Sequence, residues 1–149
     1  MSGYFGIGIE HTKTEANVGS LWRAAHLFGA AYMFTIGRRY SRQASDTMKS
    51  WRSIPLFHFD TFEDMRKHAP YDCRIVGVEL DARATPLATY THHERCVYLL
   101  GAEDHGLTKD TLARCQDVVQ LPGAASMNVA NAGAIVLYDR HAKSARGAA

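Results

Sequence analysis

Short strand-like runs alternate along this chain with segments of helical periodicity, and that alternation constrains the fold most. Apolar runs rich in β-branched and aromatic residues predict strands over 4–10, 32–37, 56–59, 74–80, 96–100 and 118–121. Segments between and after them predict helices over 17–28, 61–68, 108–115 and 128–141. Such alternation is typical of α/β proteins, so we expect a mostly parallel sheet flanked by helices.

Polar residues and glycine mark the expected helix ends. Asn17 suits the N-cap of the first helix, and Gly29 suits its C-terminal stop. Asp60 is expected to cap the second helix, with Glu63 completing a pattern like a capping box. The final helix is apolar around most of its circumference, which predicts burial in a core or an interface.

The length and composition of the chain indicate a single globular domain. We expect a single domain over 1–149, whose basic tail at 142–149 is a candidate for disorder. The apolar runs are far shorter than the roughly 18 residues of a membrane span, and the N-terminus does not resemble a signal peptide. Cys73, Cys96 and Cys115 are widely spaced and odd in number, which indicates buried or inert thiols. These features predict a cytoplasmic protein that does not enter a membrane.

The positive charge is concentrated in two places. Residues 38–52 carry a net charge of +4 and the tail from residue 140 carries +3, whereas residues 53–139 carry −5. Clustered arginine with interleaved Tyr40 and Trp51 suits a polyanion such as RNA. A solvated surface loop explains the stretch equally well.

Three segments combine glycine with polar side chains directly after predicted strands, where ligands bind in parallel sheets. They are NVGSLWR at 17–23, LGAEDHGL at 100–107 and LPGAASMNVANAGA at 121–134. Each also has an ordinary structural interpretation. Asn17 alone is a helix cap, and Arg23 alone is a surface cation, for instance paired with Glu10. In the same way, the second segment alone is an ordinary strand-to-helix turn. The third segment alone combines helix capping with tight packing of small residues.

Other sequence patterns argue against several classes of site. The Gly6-x-Gly8 pair is not a dinucleotide fingerprint, because no third glycine opens a helix. The sequence has neither a phosphate-binding G-x-x-x-x-G-K-[ST] loop nor the G-x-S-x-G of α/β-hydrolases. The side chains of the adjacent His92 and His93 are expected on opposite faces of an extended strand. We therefore expect no metal site.

Together and in this order, the three segments resemble the three motifs of the SpoU (TrmH-like) branch of the SPOUT RNA methyltransferases. NVGSLWR matches N-x-G-x-x-x-R, LLGAEDHGL matches G-x-E-x-x-G-L, and the third matches a Pro, then Ser-Leu-Asn-Val, then a small-residue helix. The departures are Met127 in place of leucine, the pair Asp104-His105 where a small residue is common, and Asn131 at a small or hydroxyl position.

The resemblance implies a C-terminal trefoil knot, S-adenosylmethionine (SAM) as methyl donor, and transfer to a ribose 2′-hydroxyl of RNA. It also implies a homodimer formed through the C-terminal helix and the knot. A chain without an additional RNA-binding domain is similar to the members that modify the wobble ribose of tRNA, so tRNA is the leading substrate and rRNA the second.

The resemblance also implies roles for individual residues. The catalytic set is Arg23, Asn17, Glu103, Ser126 and Asn128. The cofactor-binding set is Leu100, Gly101, Glu103, Gly106, Leu121, Ser126, Met127, Asn128 and Ala130. The candidates for RNA binding come from the charge of the basic stretch and are Arg38, Arg39, Arg42, Lys49 and Arg52. Arg23 has the central role, yet a guanidinium is normally always protonated. Two accounts therefore stay open: deprotonation in a special site, or a lasting cation that stabilises the developing alkoxide.

Two other function classes remain as alternatives. One is a non-catalytic RNA-binding dimer that keeps the fold, and the other is a SAM-dependent enzyme acting on a base or a small molecule. SAM binding without transfer would favour the first, and methyl found on a base would favour the second.

Overall fold

The computed structural model describes residues 3–38, 53–123 and 127–148. The strands in these ranges are β1 (Tyr4–Glu10), β2 (Tyr32–Ile36), β3 (Leu56–Phe59), β4 (Arg74–Val78), β5 (Thr85–Pro86), β6 (Arg95–Leu100) and β7 (Asp117–Gln120). The helices are α1 (Glu15–Leu27), α2 (Phe62–His68), α3 (Lys109–Arg114) and α4 (Val129–Ala148), with a short 3₁₀ helix at Leu87–Thr89. The six predicted strands and four predicted helices are all present, and β5 is an addition.

The sheet is parallel throughout the described strands, with the order β3-β2-β1-β6-β4-β7-β5. The predicted α/β class is therefore confirmed. From β1, the sheet extends through β2 to β3 on one side and through β6, β4 and β7 to β5 on the other. The sheet consequently has a switch point between β1 and β6, where the connections diverge.

Helices cover both faces of the sheet, as a parallel sheet requires. On one face Ile7 and Ile9 of β1 pack with Leu21 of α1 and Val136 of α4. On the other face lies a second cluster, formed by residues of β2, β4, β6, β7, α2 and α3 together with Leu107. Because successive strand residues alternate, β1 contributes isoleucines to the first face and glycines to the second.

The Gly6-x-Gly8 pair serves packing within the sheet. A Cβ atom on Gly6 would lie 2.4 Å from Cζ of Tyr32, and one on Gly8 would lie 2.3 Å from Cε2 of Phe34. The two glycines therefore leave room on β1 for the aromatic rings of the neighbouring β2. This explains the motif without a bound phosphate.

Two predicted helix caps are wrong, one by three residues and the other by one. Helix α1 begins at Glu15 with Thr14 as its N-cap, so Asn17 lies inside the first turn. In α2 the cap is Thr61, whose hydroxyl accepts a hydrogen bond from the Asp64 N–H at 3.1 Å, and Asp60 precedes it. The predicted stop after α1 is consistent with Gly29, which has a φ of +81°.

Helix α4 extends seven residues beyond its predicted end at His141 and includes most of the basic tail. The Arg140 side chain is 2% exposed and donates to the carbonyl oxygens of His93 (2.7 Å) and Glu94 (3.1 Å). Lys143 Nζ donates to those of Leu87 (2.6 Å) and Tyr90 (2.8 Å). These bonds hold the helix against the chain before β6, so two cations of the basic C-terminal segment are used in hydrogen bonds within the chain.

The cysteines are free thiols, as predicted: Cys96 and Cys115 are buried and Cys73 is half-buried. Burial raises the pKa of Cys73 to about 12 and that of Cys115 to about 11, so these thiols stay protonated and unreactive. None of the helices in the described part of the chain has the length and apolar character of a membrane span. The adjacent histidines contact different carboxylates, since His92 Nε2 lies 2.8 Å from Asp139 and His93 Nε2 lies 2.9 Å from Asp117.

Gly8→Ala is expected to lower the free energy of unfolding by about 1–3 kcal/mol, because the new methyl group would overlap the fully buried Phe34 ring. Gly147→Ala in α4 is the matched control, since a Cβ there meets no atom within 4 Å. That change should leave stability unchanged or raise it by up to about 1 kcal/mol. Urea unfolding followed by circular dichroism measures both variants, and equal stabilities would contradict this explanation of the motif.

Candidate functional site

A cavity of about 210 Å³ lies at the carboxyl ends of β4, β6 and β7. Its walls are residues 78–80 after β4, residues 100–106 after β6, residues 121–122 after β7, and the start of α4. The second and third sequence motifs therefore face one another across this cavity. The position agrees with the rule that parallel sheets bind ligands beyond the carboxyl ends of their strands.

Most residues predicted to bind a cofactor line this cavity, namely Leu100, Gly101, Glu103, Gly106, Leu121 and Met127. Asn128 and Ala130 do not line it. Val129 and Ala132 take their place, because residues three apart share one face of α4. Ala130 is instead packed in the core. Ser126 lies outside the described residues, as do the other two residues of 124–126.

The sequence analysis missed the wall formed by Val78, Glu79 and Leu80. These residues follow a predicted strand, but their place in the site depends on β4 lying between β6 and β7. That order results from pairing between distant segments and has no local signal in the sequence.

Two glycines give the loop after β6 its shape. A Cβ atom on Gly101 would lie 2.0 Å from the carbonyl carbon of Gly106, so the two ends of the turn touch through their backbones. The Gly106 N–H donates to the carbonyl oxygen of Ala102 at 2.8 Å, and Gly106 has a φ of +67°. Glu79 accepts a hydrogen bond from the Leu107 N–H at 2.8 Å, which ties this loop to the end of β4.

The three motifs meet at the side chain of Asn17. Its Nδ2 donates to Oε1 of Glu103 at 2.7 Å, and its Oδ1 accepts from Nδ2 of Asn128 at 3.0 Å. Asn128 Oδ1 in turn accepts from the Asn131 N–H at 3.1 Å, in the first turn of α4. Asn17 therefore bridges the second and third motifs and is not a simple helix cap.

Glu103 is held as a carboxylate. Partial burial alone would raise its pKa, but hydrogen bonds from Thr12 and Asn17 favour the charged form, and the net effect lowers the pKa below its ordinary value. A neighbouring carboxylate, Asp104, also has a lowered pKa, because Lys13 donates a hydrogen bond to it. Both carboxylates line the cavity, and Lys13 balances the charge of Asp104.

Arg23 does not reach the cavity of its own chain. It follows Asn17 by six residues, about one and two-thirds helical turns, so the two side chains leave α1 in different directions. Its side chain is exposed and has no hydrogen bond or ion pair with the described residues. The alternative of a surface ion pair with Glu10 is wrong, since Glu10 is 2% exposed and accepts bonds from the Thr108 N–H and the Thr111 hydroxyl.

Of the residues predicted to bind RNA, Arg38 is described by the structure. It is exposed, and its Nη1 lies 3.4 Å from the carbonyl oxygen of Lys13, beside the loop that enters α1. Arg39, Arg42, Lys49 and Arg52 lie outside the described residues.

The path of the expected knot runs through the loops after β6 and β7. The first loop is described in full, and the second includes residues 124–126, which lie outside the described residues. The knot itself stays a prediction from the fold class.

Comparison with known proteins identifies relatives along almost the whole chain. A family model described as the SpoU rRNA Methylase family matches residues 5–138. The 23S rRNA (guanosine-2'-O-)-methyltransferase RlmB of Acinetobacter baylyi is 32% identical over 74 residues, which are 48% of this chain and 30% of the relative. The tRNA (guanosine(18)-2'-O)-methyltransferase TARBP1 of Mus musculus is 26% identical over 136 residues, 83% of this chain and 8% of the relative. The chain thus spans less than a third of either curated relative.

Solved structures share the fold. An AdoMet-bound rRNA methyltransferase from Sinorhizobium meliloti superposes with a TM-score of 0.84 at 22% identity, covering 96% of this chain and 57% of that one. A structure described as giving insights into 2-OH methylation of C/U34 on tRNA superposes with a TM-score of 0.83 at 20% identity, covering 97% and 99%. At sequence identities this low, the similarity shows a shared fold.

Asn17→Ala is expected to lower the free energy of unfolding by about 1–3 kcal/mol, because it removes the partners of both Glu103 and Asn128 in a largely buried place. Asn131→Ala is the control, because Asn131 is exposed on α4 and contributes its backbone N–H to the network. It should change stability by less than about 0.5 kcal/mol. Equal effects of the two changes in urea unfolding would show that the Asn17 bridge contributes nothing.

Proposed function

The chain belongs to the SpoU rRNA methylase family, and on this premise we propose that it is an enzyme that transfers a methyl group from SAM to a ribose 2′-hydroxyl of RNA. The leading substrate is the wobble ribose of tRNA, and rRNA is the second. The observation that carries the proposal is the convergence of the three motifs, since Asn17, Glu103 and Asn128 form one hydrogen-bonded chain beside a single cavity.

The residues of the cavity suit SAM chemically. Val78, Leu100, Leu121 and Val129 provide apolar walls for an adenosine group, and the exposed edges of the loop backbones provide polar groups. Glu103 and Asp104 place negative charge at the opening, which favours a ligand that carries a sulfonium and an ammonium group. When bound, SAM supplies an electrophilic methyl group that is open to in-line attack by a ribose oxygen.

Arg23 acts in this proposal as a cation. Its guanidinium would stabilise the developing alkoxide and hold an adjacent phosphate. The proposal adopts this account in place of the deprotonated one. Because Arg23 lies away from the cavity of its own chain, the proposal assigns it to the cavity of a partner protomer.

A homodimer through α4 is supported by exposed apolar side chains on the packed pair α1 and α4. Ile135 is 39% exposed, Tyr138 is 59% exposed, and Leu27 of α1 is 56% exposed. The Tyr138 ring packs edge-on against Phe28 with ring centroids 6.2 Å apart, which joins the two helices into one apolar surface. Apolar surfaces of this kind favour a two-fold interface, and a two-fold axis there would bring α1 of each protomer toward its partner.

Methyl transfer from labelled SAM to tRNA and to rRNA tests the activity directly. The wild-type protein should give label in a 2′-O-methylated nucleoside after digestion, and Arg23→Ala should lower the rate by at least about 100-fold. Arg146→Ala, at an exposed arginine near the end of α4, is the matched control and should keep full activity. Label on a base would instead favour a base methyltransferase, and SAM binding without transfer to either RNA would favour a non-catalytic binder.

Mixed dimers test whether Arg23 serves the partner's cavity. Arg23→Ala and Glu103→Ala are co-expressed with different affinity tags, and the heterodimer is isolated by two successive affinity steps. Delivery across the interface leaves one intact site per dimer, so the heterodimer should recover about half of the wild-type rate. Both mutant homodimers serve as inactive references, and an inactive heterodimer would place Arg23 in its own protomer's site.

A further inference from the structure

We propose that Thr12, which lies outside all three motifs, is a positioning residue that holds Glu103 and, through it, the wall of the cavity at residues 103–106. The contact is a property of the chain itself, and its effect on a cofactor rests on the proposed function. Thr12 belongs to the segment between β1 and α1, where the sequence carries no motif.

The register of the sheet brings Thr12 to Glu103. Strands β1 and β6 are parallel neighbours, and Ile9 is paired with Leu100. Thr12 and Glu103 each follow these partners by three residues, so the two chains leave the sheet side by side. The Thr12 hydroxyl donates to Oε1 of Glu103, and Thr12 is 2% exposed.

Both oxygens of the Glu103 carboxylate accept hydrogen bonds from the segment between β1 and the first turn of α1. Oε1 accepts from Thr12 and from Asn17 Nδ2, and Oε2 accepts from the Lys13 N–H at 3.2 Å. Three donors without charge therefore fix the carboxylate in one orientation. A carboxylate bound in this way supports the loop and is poorly placed to accept a proton from a substrate.

Thr12 contributes more to the position of Glu103 than the adjacent ion pair between Lys13 and Asp104 does. Lys13 Nζ pairs with Asp104, but the side chains are 62% and 44% exposed, and ion pairs of that kind stabilise weakly. The Thr12 hydroxyl is itself buried and donates to a charged acceptor, and hydrogen bonds to charged groups are stronger than those between neutral groups.

The wall of the cavity depends on this orientation because residues 101–106 form one turn that is closed by backbone contacts. The Ala102 carbonyl is bonded to the Gly106 N–H, and Gly101 touches the Gly106 backbone. Rotation of Glu103 would therefore displace residues 104–106, which border the cavity. A ligand bound there should lose affinity when Thr12 loses its hydroxyl.

Thr12→Val removes the donor and keeps the shape of the side chain, whereas Thr12→Ser keeps the donor. By calorimetry, Thr12→Val should weaken SAM binding about tenfold, and Thr12→Ser should stay within about twofold of wild type. In methyl transfer, Thr12→Val should raise the KM for SAM by a similar factor and leave kcat within about twofold, as expected for a residue that does not touch the reacting atoms. Thr14→Val is the control, because Thr14 is exposed and its side chain makes no capping hydrogen bond.

A double-mutant cycle separates positioning from a general loss of stability. If Thr12 acts through Glu103, the double variant Thr12→Val, Glu103→Gln should bind SAM no more weakly than Glu103→Gln alone. Losses that add fully would overturn the proposal. So would a folded Thr12→Val protein with wild-type affinity.

A measurement without ligand distinguishes failure of this inference from failure of the proposed function. Carbon-detected NMR of the Glu103 carboxyl should show its pKa rising toward the ordinary value in Thr12→Val and unchanged in Thr14→Val, because the lost hydrogen bond favoured the charged form. A wild-type protein that binds no SAM would overturn the cofactor assignment, while the rise in the Glu103 pKa would still support the contact. A Glu103 pKa that is the same in both variants would overturn the positioning role.

Discussion

The site depends on one carboxylate, Glu103, and on the donors that surround it. Its partners come from the segment after β1, whereas Glu103 itself follows β6, about ninety residues later. These segments meet because β1 and β6 are adjacent and parallel at the switch point of the sheet. The register of two central strands thus determines which side chains stand together at the site. Helix α4 joins them when Asn128 bonds to Asn17.

Small residues allow the backbones to come close enough for this arrangement. A Cβ atom on Gly133 would lie 2.4 Å from Leu21 Cδ1, so the glycine lets α4 lie directly against α1. That close contact places the first turn of α4, with Asn128, beside Asn17. The small residues of the third motif therefore have a packing role, and Asn128 before them bonds to Asn17. The packing interpretation of that segment is supported, and its binding role stays a prediction.

Local patterns predicted the elements well, because strand and helix periodicity reflect burial on one side or both. β1 at 4–10 and β3 at 56–59 are correct to the residue, and most other bounds differ by one or two. Predictions failed where a distant segment determines the contact. Asn17 has the sequence signature of a cap, but its side chain forms a tertiary hydrogen bond to Glu103. The tail at 142–149 was a candidate for disorder, but α4 continues to Ala148 and Lys143 binds carbonyl groups before β6.

The separation of charges explains why a complete site would need two chains. Two residues that line the cavity, Glu103 and Asp104, are both favoured as carboxylates, and Lys13 already pairs with Asp104. A further cation fixed beside Glu103 would repel a positively charged cofactor. RNA, in contrast, requires positive charge near its phosphates. In the proposed dimer, Arg23 on the exposed side of α1 would satisfy both demands, because the cofactor would meet a negative wall and the nucleic acid a guanidinium delivered by the partner protomer. Under this proposal, dimerisation over α1 and α4 is part of the chemistry.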